Sequence, residues 1–128
     1  MHNRKLYLAR FTQKRKYCYC GKKPIVFYKI GQCWQYDANE RFLFESDQYE
    51  EFDIKIMTSA WGPADQVDEW EQRFLRIREK TFWLPKMFSG ITECRQFTQQ
   101  ELHYLFAQFK RLSNEWYKKR KRVSSSIG

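Results

Sequence analysis

The sequence predicts an α+β domain: an N-terminal antiparallel β-meander of five or six short strands, followed by two C-terminal amphipathic helices packed on the sheet. Two observations carry this. Over the first sixty residues apolar side chains alternate with a period of two, and every connection is short, which favours antiparallel pairing. Beyond Gly62-Pro63 the apolar spacing changes to steps of three and four, the mark of a helix that buries one face. The chain has 128 residues, the size of one domain with its own core. That domain is expected over 1–117, with a basic, disordered tail over 118–128.

Each element has a local reason. Lys5–Phe11 places Leu6 and Leu8 on one side and Tyr7, Ala9 and Phe11 on the other. Arg15–Cys20 alternates Tyr17 and Tyr19 with Cys18 and Cys20, and Gly21-Lys22-Lys23-Pro24 is turn chemistry. Ile25–Ile30 is β-branched and aromatic; Gly31 interrupts it before Cys33–Tyr36, so a bulge or corner is expected. Arg41–Glu45 and Phe52–Thr58 complete the strands. Pro63 suits a helix start, and Val67, Trp70, Phe74, Ile77 and Thr81 form an apolar stripe over 64–84, which Pro85 ends. The last helix, over 98–120, has the clearest signals. Thr98 and Glu101 form a capping box, Phe97 and Leu102 a hydrophobic staple, and Leu102, Leu105, Phe109, Leu112 and Trp116 a stripe.

The net charge of +9 is segregated along the chain. Residues 1–30 carry +9, residues 31–72 carry −9 and residues 73–128 carry +9. Either the acidic block folds against the basic ones, or the molecule has two opposed faces, one suited to polyanions. No apolar run approaches the roughly 18 residues of a membrane span, and no secretory leader is visible, so no membrane partner and a cytoplasmic location are expected. A nuclear location is the alternative if the host is eukaryotic or viral, because Lys118–Arg122 also reads as an import signal.

Aromatic residues make up 19% of the chain and are interleaved with cations near the N-terminus. Arg10, Lys14, Arg15, Lys16, Lys22 and Lys23 would neutralise phosphates, and Tyr17 and Tyr19 would stack bases from one strand face. The competing account makes those rings core and those cations a solvated face. Arg73, Arg76 and Lys80 on the first helix, and Lys110 and Arg111 on the last, would line a groove that tracks a nucleic-acid backbone. Lys118, Lys119, Arg120, Lys121 and Arg122 repel one another, which favours an anionic partner. No signature of a common RNA- or DNA-binding module is present.

Other chemistries are poorly supplied. Cys18, Cys20, Cys33 and Cys94 are the only set for zinc, but the close pair has C-x-C rather than C-x₂-C spacing, and small buried thiols are the simpler reading. Cys94 with His103 is the one conceivable nucleophilic dyad. Asp53 and Lys55, with acids upstream at Asp37, Glu40 and Glu45, distantly resemble a divalent-metal nuclease core. The leading expectation is a small, non-catalytic nucleic-acid-binding protein without a cofactor, favouring RNA or single-stranded DNA. The first alternative is a protein-interaction module, such as a small inhibitor or a subunit of a larger protein or nucleoprotein assembly. Inhibitors of nucleic-acid machines encoded by mobile elements are of this kind. The metal-dependent nuclease is the second.

Overall fold

Strand β1, Asn3–Gln13, is the axis of the sheet because both of its faces are apolar. Leu6 and Leu8 point one way, Tyr7, Ala9 and Phe11 the other, and all five are buried. A strand dry on both faces belongs inside a sheet. It is flanked by β2, Val26–Cys33, and by β3, Phe52–Pro63, both antiparallel to it. A two-residue strand β4, Cys94–Arg95, adds to β2 and gives the order β3-β1-β2-β4. Helix α1, Ala64–Leu75, follows β3, and helix α2, Gln99–Ile127, follows β4. This computed structural model describes residues 3–18, 21–34, 49–79 and 93–127, with side chains in α2 described as far as Lys119.

The α+β class, the antiparallel sheet and its packing with two helices are as the sequence predicts. Among the described residues there are four strands where five or six are expected. Residues Arg15–Tyr17 form a 3-10 turn rather than a strand. The cause is Gln13, which is 7% exposed. Its side-chain amide accepts from the Ile25 N–H and donates to the Tyr17 carbonyl, both at 3.3 Å, turning the chain at Tyr17 back toward the end of β1. The candidate strand at 41–45 lies outside the described residues. Nor is the sheet a simple meander, since β3 pairs with β1 and not with β2.

Gly31 does not interrupt β2. A Cβ there would meet the Tyr7 hydroxyl at 2.5 Å, so glycine allows the Tyr7 ring to cross the strand. β3 runs through Gly62 to Pro63, beyond the predicted Thr58, because Trp70 closes over Gly62. Pro63 is tolerated there because β3 is an edge strand.

Both helices cover one face of the sheet. Leu6, Leu8 and Ile30 pack there with Val67 and Phe74 of α1 and with Leu102, Leu105, Phe109 and Leu112 of α2. The Phe74 and Phe109 rings lie 5.5 Å apart and join the helices. On the opposite face Tyr7, Phe11, Phe27, Tyr49 and Phe52 form a second, aromatic cluster with Cys33 and Cys94. The predicted capping box is formed: the Thr98 amide donates to Glu101 Oε1 at 2.7 Å, and the Glu101 amide donates to Thr98 Oγ1 at 3.2 Å. α1 stops at Leu75, short of the predicted 84, and Arg95 explains it. Its guanidinium donates to the carbonyls of Leu75 and Arg78, at 3.3 and 2.6 Å, taking up C-terminal acceptors that another helical turn would have used. Residues 80–84 lie outside the described residues. The α2 backbone passes the expected end at 120 and stays helical to Ile127.

Candidate nucleic-acid interface

The loop that joins β1 to β2 carries Lys14, Arg15, Lys16, Lys22 and Lys23 at one end of the sheet. Arg15, Lys16, Lys22 and Lys23 are exposed and Lys14 is half-buried. The expected stacking platform is not assembled on the sheet. Tyr7, Phe11 and Phe27 are core, and Tyr17 belongs to the 3-10 turn. Desolvation, a hydrogen bond to Glu50 and the charges of Glu50 and Glu51 raise the Tyr17 pKa. Lys16 lies over the Tyr17 ring, 5.1 Å from its centroid. Tyr19 lies outside the described residues. The acidic block thus reaches the basic loop, and the Lys14 amide donates to the Glu51 carbonyl at 2.8 Å.

At the other end of the sheet the acidic block is tied down more firmly. The Gln32 amide of β2 donates to Asp68 Oδ1 at 2.7 Å and to Glu71 Oε2 at 2.5 Å, both on α1. Arg4 donates to Gln32 Oε1 at 3.1 Å, pairs with Asp68 at 3.4 Å and stacks on Trp34 at 4.1 Å. Buried Lys29 meets Glu93 at 3.9 Å. Burial holds the Glu71 carboxyl and the Tyr7 phenol above their ordinary pKa values. A cavity of about 270 Å³ opens beside this group. The network fastens α1 to β2 and neutralises Arg4 and Lys29. Sequence reading misses it, because Gln32 and Glu71 lie 39 residues apart and only the fold joins them.

α1 is not a bare cationic surface. Arg73 is paired with Glu69 at 3.1 Å, as the i,i+4 spacing predicts, and exposed Arg76 borders a cavity with Glu71, Glu79 and Glu93. Lys80 lies outside the described residues. The outer face of α2 is different. Lys110, Arg111, Lys118 and Lys119 are exposed, and among the described residues they make no ion pair. Two rings are exposed on the same helix, Tyr104 at 49% and Tyr117 at 66%, about 140° apart around its axis, one on either flank of Lys110, Arg111 and Lys118. Thirteen residues of helix separate them, about 20 Å at ~1.5 Å per residue. The signal was present in the sequence, since both tyrosines fall outside the Leu102–Trp116 stripe. The side chains of Arg120, Lys121 and Arg122 lie outside the described residues, although the helix backbone carries on through them.

The remaining candidates are not brought together. Cys18 donates to Gln13 Oε1 and the Lys14 carbonyl, at the loop end of β1. Cys33 pairs with Lys5, eight residues from Gln13, so roughly 26 Å of strand separates the two thiols. Cys94 pairs with Lys29, about 13 Å along β2 from Cys33. These three cannot share one zinc ion with bonds of about 2.3 Å. Cys20 lies outside the described residues. Cys94 is buried on the face away from the helices while His103 is exposed on α2, so they form no dyad. Asp53 and Lys55 are exposed on β3; the upstream acids 37–47 lie outside the described residues, and no metal-binding cluster occurs among those described. No helix among the described residues is long and apolar enough to cross a membrane. No protein-family model matches the chain, and comparisons with curated proteins and with solved structures find no match.

Proposed function

We propose that this protein binds nucleic acid through the outer face of α2, without catalysing a reaction on it. The observation that supports this most is the conjunction on one helix of exposed cations, with no ion-pair partner among the described residues, and two exposed tyrosines that flank them. Cations alone would be a solvated surface. Rings alone would suit a protein partner. Together they supply counterion release and base stacking, the two terms of single-strand binding. RNA or single-stranded DNA is the favoured ligand, because stacking on Tyr104 and Tyr117 needs unpaired bases. The exposed loop cations Arg15, Lys16 and Lys23 offer a second contact to the same backbone.

The test is anisotropy with labelled single- and double-stranded RNA and DNA at about 50 mM salt, followed by a salt titration. Lys110→Gln, Arg111→Gln and Lys118→Gln together should weaken binding at least tenfold and flatten the salt dependence. Arg73→Gln, already paired on α1, should not. Each nucleic acid should remain intact with magnesium or manganese present; cleavage lost in Asp53→Ala or Lys55→Ala would favour the nuclease. Absence of any binding at low salt would favour a protein partner at the same face.

A further inference from the structure

We infer that the crevice between the first turns of α2 and the β1–β2 surface is a pocket for a single unpaired nucleotide, with its base against the Tyr28 and Phe106 rings and its phosphate on Arg10 and Lys55. This rests on the nucleic-acid reading above and gives it a site of base contact. The crevice has a volume of about 200 Å³ and is lined by Arg10, Tyr28, Met57, Leu102, His103 and Phe106. Pockets for drug-sized ligands start at about 300 Å³, so this one suits one ring system rather than a larger molecule. Two of its lining side chains, Tyr28 and Phe106, are aromatic, and Met57 and Leu102 add apolar surface. Gln99 also lines it, with an amide that can both donate to and accept from a base.

Arg10 gives the crevice its sign. It is half-buried, and among the described residues its side chain makes neither an ion pair nor a hydrogen bond. Its direct partner across the sheet on β3 is Lys55, also unpaired, so two like charges stand opposite each other on one face. Such a placement is unfavourable unless an anion lies between them. Asp53, two residues along β3, forms no ion pair with either. β1 runs on from Arg10 to Gln13, about 10 Å, and Lys14, Arg15 and Lys16 follow in the turn beyond it, where neighbouring phosphates of the same strand would lie. An isolated anion would have no use for the rings, and an apolar side chain none for the cation pair. A nucleotide uses both.

The experiment is an amide-shift titration of the ¹⁵N-labelled full chain with three separate probes: a nucleoside monophosphate, the free nucleoside and inorganic phosphate. The monophosphate should shift Arg10, Tyr28, Gln99 and His103, and saturate at a concentration at least tenfold below either part alone. Arg10→Gln should weaken it about tenfold without lowering the melting temperature, because Arg10 has no partner to lose. Phe106→Leu should weaken the nucleoside and leave phosphate unchanged. Equal responses to all three probes, shifts confined to other residues, or wild-type affinity in Arg10→Gln would overturn the inference. So would saturation of the crevice by an acidic peptide with no response to nucleotide. If oligonucleotides bind through Lys110, Arg111 and Lys118 while the monophosphate leaves the crevice silent, the pocket fails and the function stands. If the monophosphate saturates the crevice while no oligonucleotide binds, the α2 interface fails and the pocket stands.

Discussion

Glu71 shows what single residues contribute and what they conceal. It is 6% exposed, and burial raises its pKa above the ordinary 4.5; Glu93 and Asp68 add to the rise, while the Gln32 hydrogen bond and Lys29 oppose it. A carboxyl whose folded value is raised contributes its full stability below the unfolded value and loses it as pH rises through the folded one. Glu71→Gln removes that loss while keeping an acceptor for the Gln32 amide. It should therefore raise the melting temperature at pH 7, with the gain shrinking as the pH falls toward 4. Paired melts of the two proteins across that range check this. A gap that is absent, or negative at every pH, would show that Lys29 compensates the buried charge fully. Glu101 behaves in the opposite sense. Burial again disfavours its charge, but Arg78 at 2.6 Å and the Thr98 amide and hydroxyl outweigh it and lower the pKa, so its contribution is lost as pH falls. The pair Thr98 and Glu101 was legible in the sequence because capping is local. The pair Gln32 and Glu71 was not, because it exists only once β2 and α1 meet.

At the scale of elements, legibility followed the range of the causes. α2 was readable from its cap and stripe, and its Leu102, Leu105, Phe109 and Leu112 are buried as the spacing predicts. The end of α1 was not readable, because it is set by a guanidinium from Arg95 on a different element. The strand expected from Arg15 gives way to a 3-10 turn at Arg15–Tyr17 because its short period-two signal does not outweigh the hydrogen bonds of the buried Gln13. The helix stripes also fix a stability prediction. Phe109 is fully buried and Phe74 is 2% exposed, so Phe109→Ala or Phe74→Ala should each cost about 3–5 kcal/mol in a denaturant melt. Because the rings touch, the first substitution already empties part of the second ring's surroundings, and the double variant should cost less than the sum. A nearly neutral Phe109→Ala would mean that α2 does not cover the sheet.

For the molecule as a whole, the decisive quantity is where the charge of +9 remains after folding. The acidic block meets the basic N-terminal block at both ends of the sheet, through Glu50 and Glu51 beside the loop and through Asp68 beside Arg4. That cancellation leaves α2 as one surface where exposed cations go without acidic partners among the described residues, and the helix backbone continues through Lys118–Arg122. Deleting 118–128 tests this directly. Lys118 and Lys119 are exposed and Phe109 and Leu112 lie upstream, so the core should be untouched and the melting temperature should move by no more than a few degrees. If all five cations of the run meet phosphates, the slope of log K against log salt should become shallower by about 3.5 on single strands and about 4.5 on duplex, at roughly 0.7 and 0.9 per contact. The loss at low salt should be similar for unrelated sequences, because phosphate contacts carry no base information. A truncated protein that binds with an unchanged slope would place the phosphate contacts on Lys110, Arg111 and the β1–β2 loop instead. One that also melts far lower would show that the last turns of α2 pack on the domain rather than reach out from it.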